Sequence, residues 1–131
     1  MNSKKDDKQQ DKVFNNFEAQ FKKSTLPMVT LAMLSEKEMY AYEIMQYTLE
    51  RSDGKYKMPL LYTTLGKLQE QGYVVESRKE VTPDNRVRIY YNITDAGHEH
   101  LTMMSKHFSM MANTVDELIN DSRKDDTDGA K

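Results

Sequence analysis

Residues 58–97 read MPLLYTTLGKLQEQGYVVESRKEVTPDNRVRIYYNITDAG, and this stretch decides the fold. Three leucines near its start recur at spacings of four and three, which is typical of one face of a helix: Leu61, Leu65 and Leu68. Gly72 follows the last of them and predicts the end of that helix, because glycine is favoured just beyond a helix terminus. We therefore predict a helix whose three leucines lie in the core.

Two extended segments follow this helix, residues 73–81 and 86–93, and both are rich in Tyr, Val and Ile. The sequence Pro83-Asp84-Asn85 separates them and predicts a turn, so the two segments should form a β-hairpin. The tip of this hairpin is predicted to be basic, with Arg78 and Lys79 on the first arm and Arg86 and Arg88 on the second. Small polar and cationic side chains on a helix beside a basic hairpin suit the major groove of DNA and its flanking phosphates.

The helix and the hairpin together resemble the PadR family of bacterial winged helix-turn-helix repressors. The matching residues are Leu61, Tyr62, Leu65, Leu68, Gly72, Arg86, Arg88, Tyr90, Tyr91, Thr94 and Gly97. The sequence Tyr40-Ala41-Tyr42-Glu43-Ile44 is similar to a further motif of the family, and the resemblance covers roughly residues 26–118. It implies a mainly α fold with a small β-hairpin: a winged helix-turn-helix domain followed by a coiled-coil-like C-terminal dimerisation helix.

Three positions depart from the family pattern: Gly66, Gln69 and Ile89. Gly66 lowers helix propensity by about 1 kcal/mol relative to alanine. Ile89 stands where a basic side chain could contact phosphate. These departures concern the helix that carries the leucines and the second arm of the hairpin.

The composition predicts one compact domain, because 131 residues with 37% apolar and 31% charged residues leave room for little more. No apolar run is long enough to span a membrane, and the Lys-rich start lacks the apolar core of a signal peptide. We therefore expect a cytoplasmic protein without a membrane partner. The absence of cysteine excludes disulfides and thiolate metal sites. Since the chain has no glycine-rich phosphate loop and no His-Glu-x-x-His motif, we predict no enzymatic activity, no cofactor and no metal site.

The charge is distributed unevenly along the chain, whose formal net charge is -2. Residues 55–91 contain seven Lys/Arg and four Asp/Glu, a net charge of +3. Residues 95–131 contain four Lys/Arg and eight Asp/Glu, a net charge of -4. One face of the protein can therefore be basic although the whole chain is acidic.

We divide the chain into four segments. Residues 1–12 are polar without periodicity and are expected to form a disordered leader, and residues 13–94 to form the winged helix-turn-helix domain with an N-terminal helix. Residues 95–120 are expected to form the dimerisation helix, capped at its start by Thr94 or Asp95, and residues 121–131 a disordered tail.

The N-terminal part of the domain is expected to contain two helices. The first carries an apolar stripe typical of an amphipathic helix, formed by Phe14, Phe17 and Phe21. Ser24 or Thr25 can cap the second, with Pro27 in its first turn, and this apolar helix should lie at the centre of the domain. Residues 35–39 are expected to connect it to a third helix, residues 40–50, which completes a helix-turn-helix order.

The final helix carries an apolar seam in a heptad pattern of the kind found in coiled coils: Leu101, Met104, Phe108, Met111, Val115 and Leu118. Such a stripe can pack on the protein's own core or on a second copy of the chain. Its narrow width and a flanking row of Met103 and Met110 favour dimerisation, which the family resemblance also implies. The predicted dimer interface comprises Phe14, Phe17, Leu101, Met104, Phe108, Met111, Val115 and Leu118.

Eight residues are predicted to contact DNA: Lys55, Lys57, Tyr62, Thr63, Thr64, Lys67, Arg86 and Arg88. The four helix residues in this list, Tyr62, Thr63, Thr64 and Lys67, are expected at the major groove. The two arginines are expected at the phosphate backbone or minor groove, and Lys55 and Lys57 on phosphates at the start of the helix. Each lysine taken alone could be an ordinary solvated charge. Of Tyr90 and Tyr91, on alternate faces of a strand, we expect one to be packed and one to reach a backbone phosphate.

The resemblance implies that a flat hydrophobic molecule could bind between the final helices of the dimer. The residues predicted to line that site are Phe21, Met28, Met104, Phe108 and Met111. The alternative is that these side chains simply fill the interface. His100 and His107 flank the seam and could pair across a dimer as a pH or metal sensor, but their spacing favours solvated histidines.

The sequence therefore predicts a repressor that binds a palindromic operator on double-stranded DNA as a homodimer, and that a planar hydrophobic effector could release. The alternative is a winged-helix protein-interaction module that dimerises but does not read DNA. The acidic total charge and Ile89 keep this alternative open. A salt titration of DNA binding separates the two.

Overall fold

Four helices and three strands make up the computed structural model, which describes the backbone of residues 3–128 and the side chains of residues 6–122. In chain order they are α1 (Ser3–Leu34), β1 (Met39–Tyr40), α2 (Ala41–Arg51), α3 (Leu61–Glu70), β2 (Val74–Val81), β3 (Val87–Ile93) and α4 (Asp95–Asp128). The predicted mainly α class with a β-hairpin is confirmed. Over the described residues, no helix combines the length and the apolar character that crossing a membrane requires.

The sheet is antiparallel with the strand order β1-β3-β2, so β3 lies between the other two strands. β2 and β3 form the predicted hairpin. The Thr82 N–H donates to the Arg86 carbonyl oxygen over 2.8 Å across its turn, and Asn85 has a φ of 68°, which asparagine tolerates. β1 was not predicted: Met39 lies at the end of the predicted connection and Tyr40 at the start of the predicted helix, and two residues are too few to show the alternation of a strand.

α1 is one continuous helix, which corrects the prediction of a disordered leader followed by two helices. Thr25, a predicted cap, instead donates from its hydroxyl to the Phe21 carbonyl oxygen over 2.9 Å within the helix. Pro27 lies inside the helix, where it removes one backbone donor. The helix continues through this position because Leu26 and Leu31, on either side of it, are buried in the core.

Both ends of the chain are more helical than their composition predicts. α1 includes residues 3–12 and α4 includes residues 121–128, so the predicted disordered leader and tail are corrected for these residues. The same predictions for residues 1–2 and 129–131 lie outside the described part of the chain. Lysine and glutamine are good helix formers, and extending a formed helix costs much less than nucleating one.

The core lies where α1, α2 and α3 meet the sheet. It contains the three leucines of α3, as predicted, and its largest fully buried side chains are Leu31, Leu34, Met39, Ile44, Leu61, Leu65, Leu68, Val74 and Thr30. Leu101 of α4 is half-buried and packs against this core. Leu101 thus has packing partners within its own domain, and its place in the dimer interface stays a prediction.

The start of α4 is fixed to the turn between α3 and β2. The Thr94 N–H donates to the Tyr73 carbonyl oxygen over 3.0 Å, and the Thr94 hydroxyl donates to the Gly72 carbonyl oxygen over 2.7 Å. The same hydroxyl accepts the Gly97 N–H over 3.0 Å and so caps α4, as predicted. A Cβ at Gly97 would overlap the Tyr73 carbonyl oxygen, so only glycine lets these two backbone segments approach so closely.

Gly97→Ala should destabilise the protein by about 1–3 kcal/mol, because its methyl group overlaps the Tyr73 backbone. Gly66→Ala is the matched control. Nothing lies within 4 Å of its new Cβ, so this variant should equal the wild type or gain up to about 1 kcal/mol from better helix propensity. Urea midpoints at equal protomer concentration measure both changes. An unchanged midpoint for Gly97→Ala would show that α4 shifts away from the turn at no cost.

Candidate nucleic-acid interface

The outward side of α3 carries three of the residues predicted to contact DNA. Tyr62 is 66% exposed, and Thr63 and Lys67 are exposed as well. Thr64 is only 8% exposed, because it lies one helical turn from two of the buried leucines and faces inwards with them. Its assignment as a DNA contact is therefore corrected. The sequence does not show which of Thr63 and Thr64 faces outwards, because two adjacent threonines lie at the border between the buried and the exposed face of α3.

The loop between α2 and α3 presents both lysines that are predicted to bind phosphate. Lys55 and Lys57 are exposed, whereas Tyr56 is half-buried and Met58 is buried. The Tyr56 hydroxyl shares a hydrogen bond of 2.7 Å with the hydroxyl of Thr25, and burial raises the pKa of Tyr56. The loop is thereby anchored to α1 with its two lysines directed outwards.

The wing, residues 79–89, is the part of the hairpin that extends beyond its pairing with β1. Arg86 lies near its tip with a side chain 84% exposed, and its Nε is 3.3 Å from Asp84 Oδ2. An ion pair this exposed is weak in water, so it leaves Arg86 available to a phosphate. Arg88 is half-buried, and its guanidinium lies 4.7 Å from the ring centre of Tyr40. The two predicted wing arginines thus differ in their contacts: the Arg88 side chain packs on the sheet, whereas the Arg86 side chain is directed into solvent.

Arg78 lies at the base of the wing and not at its tip. Its Nε donates to Glu38 Oε1 over 2.7 Å, and its Nη1 donates to Glu80 Oε2 over 3.1 Å. The Ser77 hydroxyl donates to the other carboxylate oxygen of Glu38 over 2.7 Å, and the Tyr90 hydroxyl donates to Glu80 Oε2 over 3.0 Å. We call these five residues the wing-base cluster.

The wing-base cluster shifts the pKa values of its members. Hydrogen bonds from Arg78 and then from Ser77 hold the pKa of Glu38 below its usual range. Hydrogen bonds from Tyr90 and then from Arg78 lower the pKa of Glu80. The hydrogen bond to Glu38 is the main cause that raises the pKa of Arg78, so all three groups stay charged at neutral pH. The sequence did not predict this cluster, because Glu38 and Arg78 lie 40 residues apart.

Tyr90 and Tyr91 are both buried, each with 8% of its surface exposed. Tyr91 belongs to the core, and the guanidinium of Arg78 lies 3.6 Å from the ring centre of Tyr90. The prediction that one of the two tyrosines reaches a DNA phosphate is therefore wrong. The Tyr90 hydroxyl is bonded to Glu80 instead.

An apolar stripe follows α1 and continues on α4. Its members are between 40% and 72% exposed: Phe14, Phe17, Phe21, Met104, Phe108, Met111, Val115 and Leu118. Phe21 of α1 and Phe108 of α4 meet edge to face, with ring centres 6.2 Å apart. The structure thus places the predicted dimer residues other than Leu101 on two helices that contact each other. Exposed apolar surface of this kind marks an interaction surface.

A cleft of about 450 Å³ lies between α1, α3 and α4. Four of the five residues predicted to bind an effector line it: Met28, Met104, Phe108 and Met111. The fifth, Phe21, packs on Phe108. Four residues of α3 also line the cleft, namely Thr63, Thr64, Lys67 and Leu68. The cleft therefore borders the helix that carries the predicted contacts to base edges.

His100 and His107 line the same cleft from the side of α4. The ring of His100 stacks on the ring of Tyr73, with 4.2 Å between ring centres and 10° between the planes. This contact gives His100 a packing partner within the domain. Pairing of the two histidines across a dimer stays a prediction.

Comparisons with known proteins place the chain among transcriptional regulators. Residues 30–103 match a family model described as the transcriptional regulator PadR-like family. A PadR family transcriptional regulator from Eggerthella lenta DSM 2243 superimposes with a TM-score of 0.71 at 21% identity, covering 83% of this chain and 94% of that one. A PadR-like transcriptional regulator from Bacillus cereus strain ATCC 14579 has a TM-score of 0.62 at 26% identity, covering 76% of this chain and 96% of that one.

A third similar structure is that of Bacillus subtilis PadR in complex with operator DNA. It has a TM-score of 0.56 at 23% identity and covers 61% of this chain. This chain spans 47% of the length of that protein. At this level of identity the likeness shows a shared fold.

Arg78→Ala should raise the pKa of Glu38 more than that of Glu80, because Glu38 loses its strongest hydrogen bond and Glu80 keeps its own, from Tyr90. Carbon-detected NMR titration of the side-chain carboxyl groups measures both values. Tyr90→Phe is the matched control and should raise the pKa of Glu80 more than that of Glu38, because Glu80 loses its hydrogen bond from Tyr90. Since both folded-state pKa values are lowered, the cluster stabilises the fold at neutral pH, and this contribution is lost as the pH falls through the acid range. Equal shifts of the two pKa values in both variants would contradict these pairings.

Proposed function

Since the chain belongs to the PadR-like family of transcriptional regulators, we propose that it represses transcription by binding a palindromic operator as a homodimer. The observation that carries the proposal is the outward face of α3, which exposes Tyr62, Thr63 and Lys67 beside a basic loop and a basic wing. Polar and cationic side chains on a helix can read base edges in the major groove, while the charged segments next to it hold phosphates.

In this proposal α3 enters the major groove. Lys55 and Lys57 hold phosphates at the start of α3, and Arg86 and Arg88 hold phosphates beside the wing. The net charge of -2 does not oppose this, because the acidic excess lies outside residues 55–91. Further support comes from the similar Bacillus subtilis PadR, whose structure is a complex with operator DNA.

The homodimer is supported by the apolar stripe on α1 and α4. Fully burying one large apolar side chain contributes roughly 1.5–3 kcal/mol, so eight such side chains favour a second copy of the chain as their cover. A single wing and α3 neutralise few phosphates, whereas two copies related by a two-fold axis address two half-sites. These half-sites should lie about 10 base pairs apart or a multiple of that.

A planar hydrophobic effector is proposed to bind in the cleft and to weaken DNA binding. Methionine side chains are flexible and polarisable, and together with Phe108 they suit a flat apolar molecule. Because α3 forms one wall of the cleft, a bound molecule would touch the DNA-facing helix directly. The alternative is that side chains of the second copy fill this space in the dimer.

The second candidate function is a winged-helix interaction module that dimerises without binding DNA. The apolar Ile89 in the wing supports it, because it stands where a basic side chain could contact phosphate. The two candidates differ in their response to salt, because DNA binding releases counterions and interaction between proteins through apolar surfaces does not. A steep fall of DNA affinity with salt, together with a preference for one duplex over random competitor, would exclude the module.

Replacing Arg86 and Arg88 together by alanine should weaken binding to every DNA sequence, because the wing is proposed to contact phosphates. The slope of log affinity against log salt concentration should become shallower by about 1.8, or about 0.9 for each lost phosphate contact. Lys106→Ala removes one charge from an exposed position of α4 and should leave the slope unchanged. Fluorescence anisotropy with a labelled duplex across a salt series measures all three proteins. A double variant with the wild-type slope would remove the wing from the DNA interface.

Phe108→Ala and Leu118→Ala separate an effector site from a dimer interface. Both residues belong to the apolar stripe, but only Phe108 lines the cleft. Both variants should weaken the dimer in analytical ultracentrifugation, and only Phe108→Ala should lower the affinity per dimer for a planar hydrophobic dye. Equal dye affinities per dimer would assign Phe108 to packing alone. A wild-type chain that is monomeric at micromolar concentration would contradict the homodimer.

A further inference from the structure

We propose that Arg78 is a positioning residue for DNA binding: with Glu38 it fixes the direction in which the wing leaves the domain, and it makes no contact with DNA itself. This inference rests on the proposed DNA binding. It adds a role for the wing-base cluster, which that function does not use.

Arg78 already uses its guanidinium group within the protein. Nε lies 2.7 Å from Glu38 Oε1, Nη1 lies 3.1 Å from Glu80 Oε2, and the guanidinium carbon lies 3.6 Å from the ring centre of Tyr90. Two of its five N–H donors are bound to carboxylates, and the negative charges of Glu38 and Glu80 beside the guanidinium oppose the approach of a phosphate to the remaining donors. Arg86, in contrast, is almost fully exposed, and within the described residues it has a single ion pair, at 3.3 Å.

A β-bulge brings two successive residues of β2 to the same carboxylate. Glu76 pairs with Tyr91 and Arg78 pairs with Tyr90, so Ser77 is the extra residue in the strand. In a regular strand, successive side chains would point to opposite faces. Here the hydroxyl of Ser77 and the guanidinium of Arg78 bind the two carboxylate oxygens of Glu38. The bulge therefore gives β2 a two-point attachment to one acceptor.

This attachment bridges the two edges of the sheet. Glu38 directly precedes β1, and the next residue, Met39, is fully buried in the core. Arg78 belongs to β2, and β3 lies between these two strands. The ion pair thus ties the outer strand of the hairpin to a position anchored in the core, across the central strand.

The attachment also lies at the root of the wing. Tyr40, Tyr90 and Arg78 form the last row in which three strands are paired. The next row, Lys79 with Ile89, contains two strands only. A two-stranded ribbon is marginally stable by itself, so its direction depends on what holds its base. Three residues of strand extend the wing by roughly 10 Å, and a rotation of about 20° at the base would displace its tip by roughly 3 Å.

The sign of the charge on Glu38 makes this inference testable. A carboxylate near DNA repels phosphate, so its neutralisation should strengthen DNA binding if charge alone mattered. If Glu38 acts by holding Arg78, the same change should weaken binding. The two accounts therefore predict opposite effects of Glu38→Gln.

The experiment uses the full chain and a labelled duplex that the wild-type protein selects from a random library. We expect Arg78→Ala and Glu38→Gln each to lower the affinity for this duplex about tenfold or more, with the wild-type salt slope retained. Arg86→Ala, the matched control, should make the slope shallower by about 0.9, as expected for one lost phosphate contact. In the DNA-free proteins, NMR order parameters of the amides of residues 79–89 should fall in Arg78→Ala and Glu38→Gln and stay unchanged in Arg86→Ala.

Two results would overturn the inference. One is a loss of slope in Arg78→Ala equal to that in Arg86→Ala, which would make Arg78 a phosphate contact. The other is unchanged or tighter binding by Glu38→Gln, which also decides the question if Arg78→Ala does not fold. Failure of the proposed function looks different, because the wild-type protein would then select no duplex. The order parameters of the wing would still report whether Arg78 holds its base.

Discussion

The hydrogen bonds that join the start of α4 to the turn after α3 are the constraint on which the rest of the structure depends. Thr94 donates from its backbone N–H to the Tyr73 carbonyl oxygen and from its side chain to the Gly72 carbonyl oxygen. The missing side chain of Gly97 allows the close approach. α3, the hairpin and α4 therefore meet at one junction, and reorientation of the long helix would carry the outward face of α3 with it.

The hairpin uses positive charge for two different purposes. Arg78 forms ion pairs with Glu38 and Glu80 at the base of the wing, within the protein. Arg86 is exposed near the tip, where it can act on a partner. Counting basic residues along the sequence treats both alike. In an acidic chain, the local geometry of each arginine decides which of them contributes to attraction of an anionic partner.

Repeating patterns in the sequence predicted the fold well, and single contacts between distant segments were not predictable. The leucine spacing of α3 and the glycine that ends it depend on local backbone geometry, so the sequence predicts them. The sequence does not predict the continuity of α1 through Pro27, because burial of the neighbouring residues outweighs the local preference. It does not predict the wing-base cluster either, because a bulge breaks the alternation by which strand faces are assigned. In the candidate site, Thr64 was wrongly predicted to contact DNA, because the helical pattern did not show that Thr63 faces outwards whereas Thr64 faces the core.

Thr63 and Lys67 line the cleft and are also exposed on the outward side of α3. A substitution at either position changes the wall of the cleft and the outward face of α3 together. Under the proposed function, natural variation at these two positions cannot tune small-molecule preference and target-site preference independently. Related proteins that acquire a new effector by substitution at these two positions would also have to bind a changed operator. Substitutions on the α4 side of the cleft would change effector preference alone.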